Sequence, residues 1–324
     1  MLLAAHFLAT LAVVLAWPAP IALSRAGWPS RSPFTAMILW QAIALAGGLS
    51  MIGAMLVWGL EPLGDNLLEA MGALWATIVN NQPADTLGLV HVFALSAASL
   101  LGAHLVFTLL LTYVRIRGQR RRHRDMLNLL SSPAADNPAT LVISHPSPVA
   151  YCLPGGARSV TVLSDGLMGL LTDEELDAVL IHERAHLHQR HHLLLWAFAA
   201  WRSALPWLPT SQLAQRAVNE LIEMLADDEA LRQVDKPVLV RAIAIVATGS
   251  APGAGTHGDS GLADDSTRST ITREAGEQST VHRLRRLLEP LPPLSAVQTS
   301  AALAASALLL AAPTALLVAP GFFG

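Results

Sequence analysis

Four stretches of this sequence, Leu2 to Leu23, Phe34 to Leu60, Leu87 to Val114 and Ser295 to Ala319, are long and apolar enough to cross a lipid bilayer, which takes about 20 helical residues. No water reaches the hydrocarbon core, so the backbone N–H and C=O groups there must bond to one another, and such a run is driven to be helical. Charged residues are correspondingly scarce, 14% of the chain against about 25% in soluble domains. The first stretch lacks the basic leader of a signal peptide and is expected to remain as a helix.

Arginine placement orients the four helices. Arg25 and Arg31 lie between the first two, whereas Glu61 to Thr86 holds four acids and no Lys or Arg. RIRGQRRRHR follows the third stretch with six arginines, and HRLRRLL precedes the fourth with three more. The excess of arginine on the inner side of membranes then predicts an outer N-terminus, an outer loop at 61–86, and everything from Arg115 to Leu294 in the cytoplasm. The expected organisation is three spans over 1–114, a cytoplasmic domain over 115–293, and a fourth span with a short outer tail over 294–324. Position beside a span accounts for RIRGQRRRHR, so direct nucleic-acid binding is not expected. In the outer loop Leu63, Leu67, Met71, Leu74 and Ile78 recur at helical spacing after Pro62, which predicts an amphipathic helix on the membrane surface.

The cytoplasmic region opens with the short β-type runs TLVISH, VAYCLP and SVTVLS, which predict a small sheet. Cys152 lies in the second and reads as a small buried hydrophobe; with one cysteine no intrachain disulfide exists. In LTDEEL, Thr172 and Glu175 have the spacing of a capping box, and Leu176, Val179, Leu180 and Ala185 supply an apolar stripe behind it. A second helix is predicted from about Gln212 to Arg232. Between the two, HLLLWAFAAWRSALPWLP is cut by Arg202, Pro206 and Pro209 and is expected to be interfacial, with Trp196, Trp201 and Trp207 as a belt. The Gly/Ser/Thr/Asp-rich stretch 249–280 reads as a flexible loop. The fold class is therefore mainly α: a four-span helical membrane protein with a cytoplasmic α+β domain carrying a small sheet.

Five of the twelve histidines fall within VLIHERAHLHQRHH. His182 and His186 are four residues apart, just over one helical turn, so both imidazoles leave one face and can grip a single Zn²⁺. Glu183 follows His182 directly, beside the metal, where its carboxylate can act as general base. A catalytic zinc usually takes three protein ligands, so a third must come from elsewhere. Glu223 in ELIEMLADDEA is the leading candidate and Glu220, one turn earlier, its rival; Asp227, one turn after Glu223, is placed to bond a ligating histidine's other nitrogen. His188, His191 and His192 read as helix-surface or interface histidines.

The run PVAYCLPGGARSVTVLSDGLMGLLTDEELDAVLIHERAH, then the Trp/Pro-rich segment, EMLAD, and HRLRRLL before a last span resembles the BlaR/MecR-type membrane zinc peptidases over Leu141 to Leu288. The resemblance implies a gluzincin site, with His182, His186 and Glu223 on zinc, Glu183 as base and Asp227 behind the ligands. It also implies a bacterial inner-membrane protein that cleaves a cytoplasmic substrate, a transcriptional repressor of the winged-helix type. The β-lactam sensors of that family carry a penicillin-binding domain after the last span; this sequence stops five residues past it, so sensing through such a domain is not expected. The same motifs also fit a quality-control membrane protease of the HtpX type, which places two spans after the motif, and a non-catalytic signalling or scaffold protein with a relic site.

Overall fold

The computed structural model describes residues 1–81, 86–133, 140–153, 159–249 and 278–318, and in them the protein is mainly helical with one small sheet. These residues fall into two compact units: Met1–Tyr113, Leu195–Val218 and Leu294–Gly324 in one, Val114–Leu194 and Asn219–Pro293 in the other. The segment 195–218 groups with the apolar helices of the first unit. The loop expected over 249–280 lies, apart from its ends, outside the described residues, as do 319–324.

The four apolar stretches are helices long enough to span a bilayer. The first is broken: α1 (Leu2–Ala16) and α2 (Pro18–Ser24) meet at Trp17, because Pro18 has no N–H to continue the ladder. Helix α3 (Pro33–Leu60) is the buried one, and α1 and α12 (Ala296–Val318) pack along it. Its buried residues include the small Ala36, Ala42, Ala46, Gly48, Ser50, Gly53 and Ala54 beside the larger Trp40 and Val57. Between helices as apolar as lipid, such small residues let the backbones approach closely. At Gly59 a Cβ would stand 2.6 Å from Leu95 Cγ, and at Gly48 one would stand 2.8 Å from the Trp201 ring. The amphipathic helix expected in the outer loop forms as α4 (Leu67–Val79), capped by the Asn66 side chain, with Leu68, Met71, Trp75 and Ile78 exposed.

Helix α5 (Leu89–Leu130) runs 42 residues without a break, through RIRGQRRRHR. Arginine is a good helix former and no proline interrupts it, so the arginines extend the span instead of starting a loop. Helix α8 (His191–Ala204) has 14 residues, about 21 Å at 1.5 Å per residue, short of the roughly 30 Å hydrocarbon core. Its later part and the start of α9 (Pro209–Ala230) are tied into the first unit: Ala204, Leu205 and Leu208 pack with Ala16, Met51 and Leu101, and Thr210 Oγ1 donates to Leu15 O at 2.7 Å.

In the second unit the strands are β1 (Ser131–Pro133), β2 (Thr140–Ile143), β3 (Ala150–Leu153) and β4 (Val160–Ser164), ordered β1-β2-β4-β3. Only β2 and β4 are parallel, and β3 is an edge strand antiparallel to β4. Strand β1 was not expected, since SSP carries no strand pattern. At the end of β4 the Ser164 hydroxyl accepts from Leu167 N–H and so caps α6 (Asp165–Leu170). Helix α7 (Asp173–His188) starts at the expected capping box: Thr172 Oγ1 accepts from Glu175 N–H while Glu175 accepts from Thr172 N–H at 2.9 Å, worth about 1 kcal/mol. One side of α7 packs Leu176, Val179 and Leu180 on Leu163, Leu167 and Leu171. The other sets Ala178 against Ala230, Leu239 of α10 (Lys236–Gly249) and Leu287 of α11, described over 278–288.

Gly166 supplies a test of this packing. A Cβ there would lie 2.1 Å from Pro146 O and 2.8 Å from His145 O, backbone atoms fixed by the Asp165 carboxylate, which accepts from His145 N–H at 2.7 Å. Gly166→Ala should lower stability by about 1–3 kcal/mol, read from denaturant unfolding in detergent.

Candidate active site

Because α7 is held by its cap and its two apolar faces, His182 and His186 emerge one turn apart toward α9. Glu223 meets them. His182 Nε2 lies 3.2 Å from His186 Nε2 and 3.4 Å from Glu223 Oε2, and His186 Nε2 is 3.5 Å from Glu223 Oε1. Tetrahedral zinc with ligands at about 2.0–2.1 Å requires ligand atoms about 3.3–3.4 Å apart. The three side chains therefore fit a metal ion, and they form such a group among the described residues. Glu220 stands outside it, paired with His282 of α11.

Asp227, fully buried, sits behind His182 with Oδ1 3.1 Å from Nδ1, in contact though off the line of the ring N–H. Its stronger partner is Arg283 of α11, which in the sequence has only the look of charge flanking a span. Arg283 Nε donates to Asp227 Oδ2 at 2.8 Å, Nη2 to Asp227 Oδ1 at 2.6 Å, and Nη1 to Glu223 Oε2 at 2.8 Å. One turn on, Arg286 forks onto Asp228 at 2.8 and 2.9 Å. The signal available in the sequence was complementarity: His282, Arg283 and Arg286 against Glu220, Glu223, Asp227 and Asp228.

The expectation of surface histidines fails for His191. It is 1% exposed and starts α8, not the helix of His186. Its Nδ1 lies 3.0 Å from His186 Nδ1 and its Nε2 2.9 Å from Gln189 Oε1. Cys152 is half-buried on β3, its Sγ 3.4 Å from Thr161 Oγ1, and its backbone N–H bonds the Glu183 carboxylate.

Burial and neighbours split the titrations. Burial pushes His182 down, but the Asp227 and Glu223 carboxylates beside it outweigh that and hold it at about 9. His186, buried beside that cation, falls to about 4. Burial raises Glu183 to about 6, near where a general base at neutral pH is most effective. Burial also works against the charge of Glu223 and Asp227, but His182 and Arg283 hold both at about 2.

Residues 117–242 match the family model for Peptidase family M48, a stretch that includes His182, Glu183, His186, Glu223 and Asp227. No curated protein and no solved structure matches the chain. The matched segment is similar to metallopeptidases of that family, and it sits in a chain with four helices able to cross a membrane.

Two outcomes follow from this geometry. A divalent ion must displace the His182 proton, so its apparent affinity should rise about tenfold per pH unit from about 7 to 9 and level off above, with one proton released at neutral pH; calorimetry in buffers of different ionisation enthalpy reads both. Arg283→Ala leaves two carboxylates without their partner and should cost about 3–5 kcal/mol of stability, whereas Arg283→Lys should recover only part, because a single ammonium cannot fork.

Proposed function

We propose that this protein is a membrane-bound zinc endopeptidase whose catalytic unit lies in the cytoplasm of a bacterial cell and cleaves a protein there. The observation that carries the reading is the near-tetrahedral spacing of His182, His186 and Glu223 with Glu183 beside them. The cytoplasmic placement is supported by the arginines at 115–124 and 283–286.

His182, His186 and Glu223 would hold the zinc, which when bound supplies a Lewis acid that polarises the scissile carbonyl and acidifies water. The chain's own residues do the rest. Glu183 takes the proton of the attacking water and returns it to the leaving amine. Asp227 holds His182 in place, and Arg283 fixes Asp227 and Glu223 relative to each other. Strand β3 is suited to hold the substrate. Ser164 N–H donates to Val149 O, and the antiparallel alternation then turns the backbone groups of Ala150 and Cys152 away from β4, toward the side where Cys152 N–H meets Glu183. A peptide added along that edge would pass its carbonyl beside Glu183.

The substrate we propose is a winged-helix repressor, on the resemblance to BlaR/MecR-type peptidases, so that cleavage releases transcription. A quality-control role of the HtpX kind shares this chemistry. The regulatory reading is favoured by the order of EMLAD and then HRLRRLL before an apolar stretch, the features that carry the resemblance.

Glu183→Gln should lower peptide cleavage by at least about a hundredfold while one zinc per chain stays bound, and Glu223→Ala should release the zinc. Unimpaired cleavage by the Glu183→Gln protein would remove the general-base role, and a wild-type chain with bound zinc but no cleavage of any protein would leave the scaffold reading.

A further inference from the structure

We infer that His191 and Gln189 are positioning residues: together they fix the tautomer and ring plane of His186 so that its Nε2 presents a bare lone pair to the metal. This rests on the metallopeptidase reading above. Gln189 Oε1 is a carbonyl oxygen and only accepts, so His191 Nε2, 2.9 Å away, carries a hydrogen. The Nδ1 of that neutral ring is then bare. It faces His186 Nδ1 at 3.0 Å, and two bare nitrogens at that distance repel, so the proton between them belongs to His186 Nδ1. The other nitrogen of His186 is left bare, and it points at His182 Nε2 and Glu223 Oε1.

Turning the Gln189 amide round would reverse every proton in the chain. Its NH₂ would donate to His191, His191 Nδ1–H would donate to His186, and a hydrogen on His186 Nε2 would point where the metal belongs. A bound metal therefore selects the first arrangement. Fixing a ligand's tautomer through its free nitrogen is usually the work of a carboxylate or backbone carbonyl. Here Asp227 stands behind His182 and a neutral imidazole relay stands behind His186.

The backbone is shaped to make this contact. Helix α7 ends at Gln189, and Arg190 takes φ 51°, a left-handed conformation unfavourable for a residue with a Cβ. That reversal starts α8 at His191 and brings its ring edge-on to His186, centroids 5.1 Å apart at 75°. With His191 buried, both its nitrogens are engaged within the chain.

The test uses the full chain in detergent, with zinc affinity measured by chelator competition and the visible spectrum of the cobalt-substituted protein as a second readout. His191→Phe keeps the ring but removes the acceptor, and should weaken zinc binding about 10- to 100-fold and shift the cobalt bands. His191→Asn, which keeps an acceptor near the Nδ1 position, should recover most of that loss. Gln189→Leu, on the exposed surface, should cost about fivefold, the worth of one hydrogen bond, without lowering the melting temperature of the metal-free protein. Parent-like affinity and an unshifted cobalt spectrum in Gln189→Leu would overturn the proposal even where His191→Phe fails to fold, as would a loss that His191→Asn does not recover. A parent chain that takes up no zinc at all would instead overturn the metallopeptidase reading, and this inference with it.

Discussion

Asp227 is an ionised carboxylate with no exposure, and a charge so placed is tolerable only when it is paired and fully bonded. Its partners come from two helices far apart in sequence, His182 from α7 and Arg283 from α11. Satisfying that one group therefore sets three helices in register. Helix α9 is the hub: Ala226 and Ala230, both buried, let its neighbours come close, while Glu223 on the same face is drawn to the Arg283 fork and to both imidazoles. The metal-fitting group is thus largely a product of polar satisfaction, with hydrophobic contact supplying the frame.

Within that frame two histidines one turn apart are driven in opposite directions. His182 leans on two carboxylates and is held at about 9; His186 leans on a neutral ring and falls to about 4. In the absence of metal the proton on His182 supplies the positive charge that Asp227 and Glu223 demand there. A divalent ion would supply the same charge from the other side of the ring. Glu183, desolvated but with no cation of its own at bonding distance among the described contacts, is raised to about 6, which sets it apart from the two imidazoles that share its helix.

What could be read in the sequence was whatever local rules determine. The four apolar helices, the capping box at Thr172 and Glu175, the three β-type runs and the placing of both HERAH histidines on one helix face each follow from period, spacing or motif. Spacing alone left Glu220 and Glu223 open; in the structure Glu223 lies beside both imidazoles and Glu220 beside His282. Strand β1 exists because α5 delivers Ser131–Pro133 to the exposed edge of β2, a tertiary fact without local pattern. The break at Trp17 was written in Pro18 and Pro20, but hydropathy outweighed it. The 195–218 segment joins the spans through contacts such as Thr210 with Leu15, which no periodicity announces.

Arg283 and His191 were missed for a common reason: each already had a sufficient explanation, one as charge beside a span, the other as an interface histidine. Helical geometry shows how one short run serves two ends. In HRLRRLL the residues three and four apart, Arg283, Arg286 and Leu287, share a face. Leu287 is buried against Ala178 and Ala230, and the two arginines turn to the acids of α9, while Arg285 between them stays exposed. An orienting charge needs only to be near the membrane surface, so Arg285 suffices for it. Three N–H donors directed at three oxygens, each within 2.8 Å, need the planar fork that Arg283 has and a lysine lacks. The composition of the run is therefore set by topology, and the order of residues within it by the buried carboxylates.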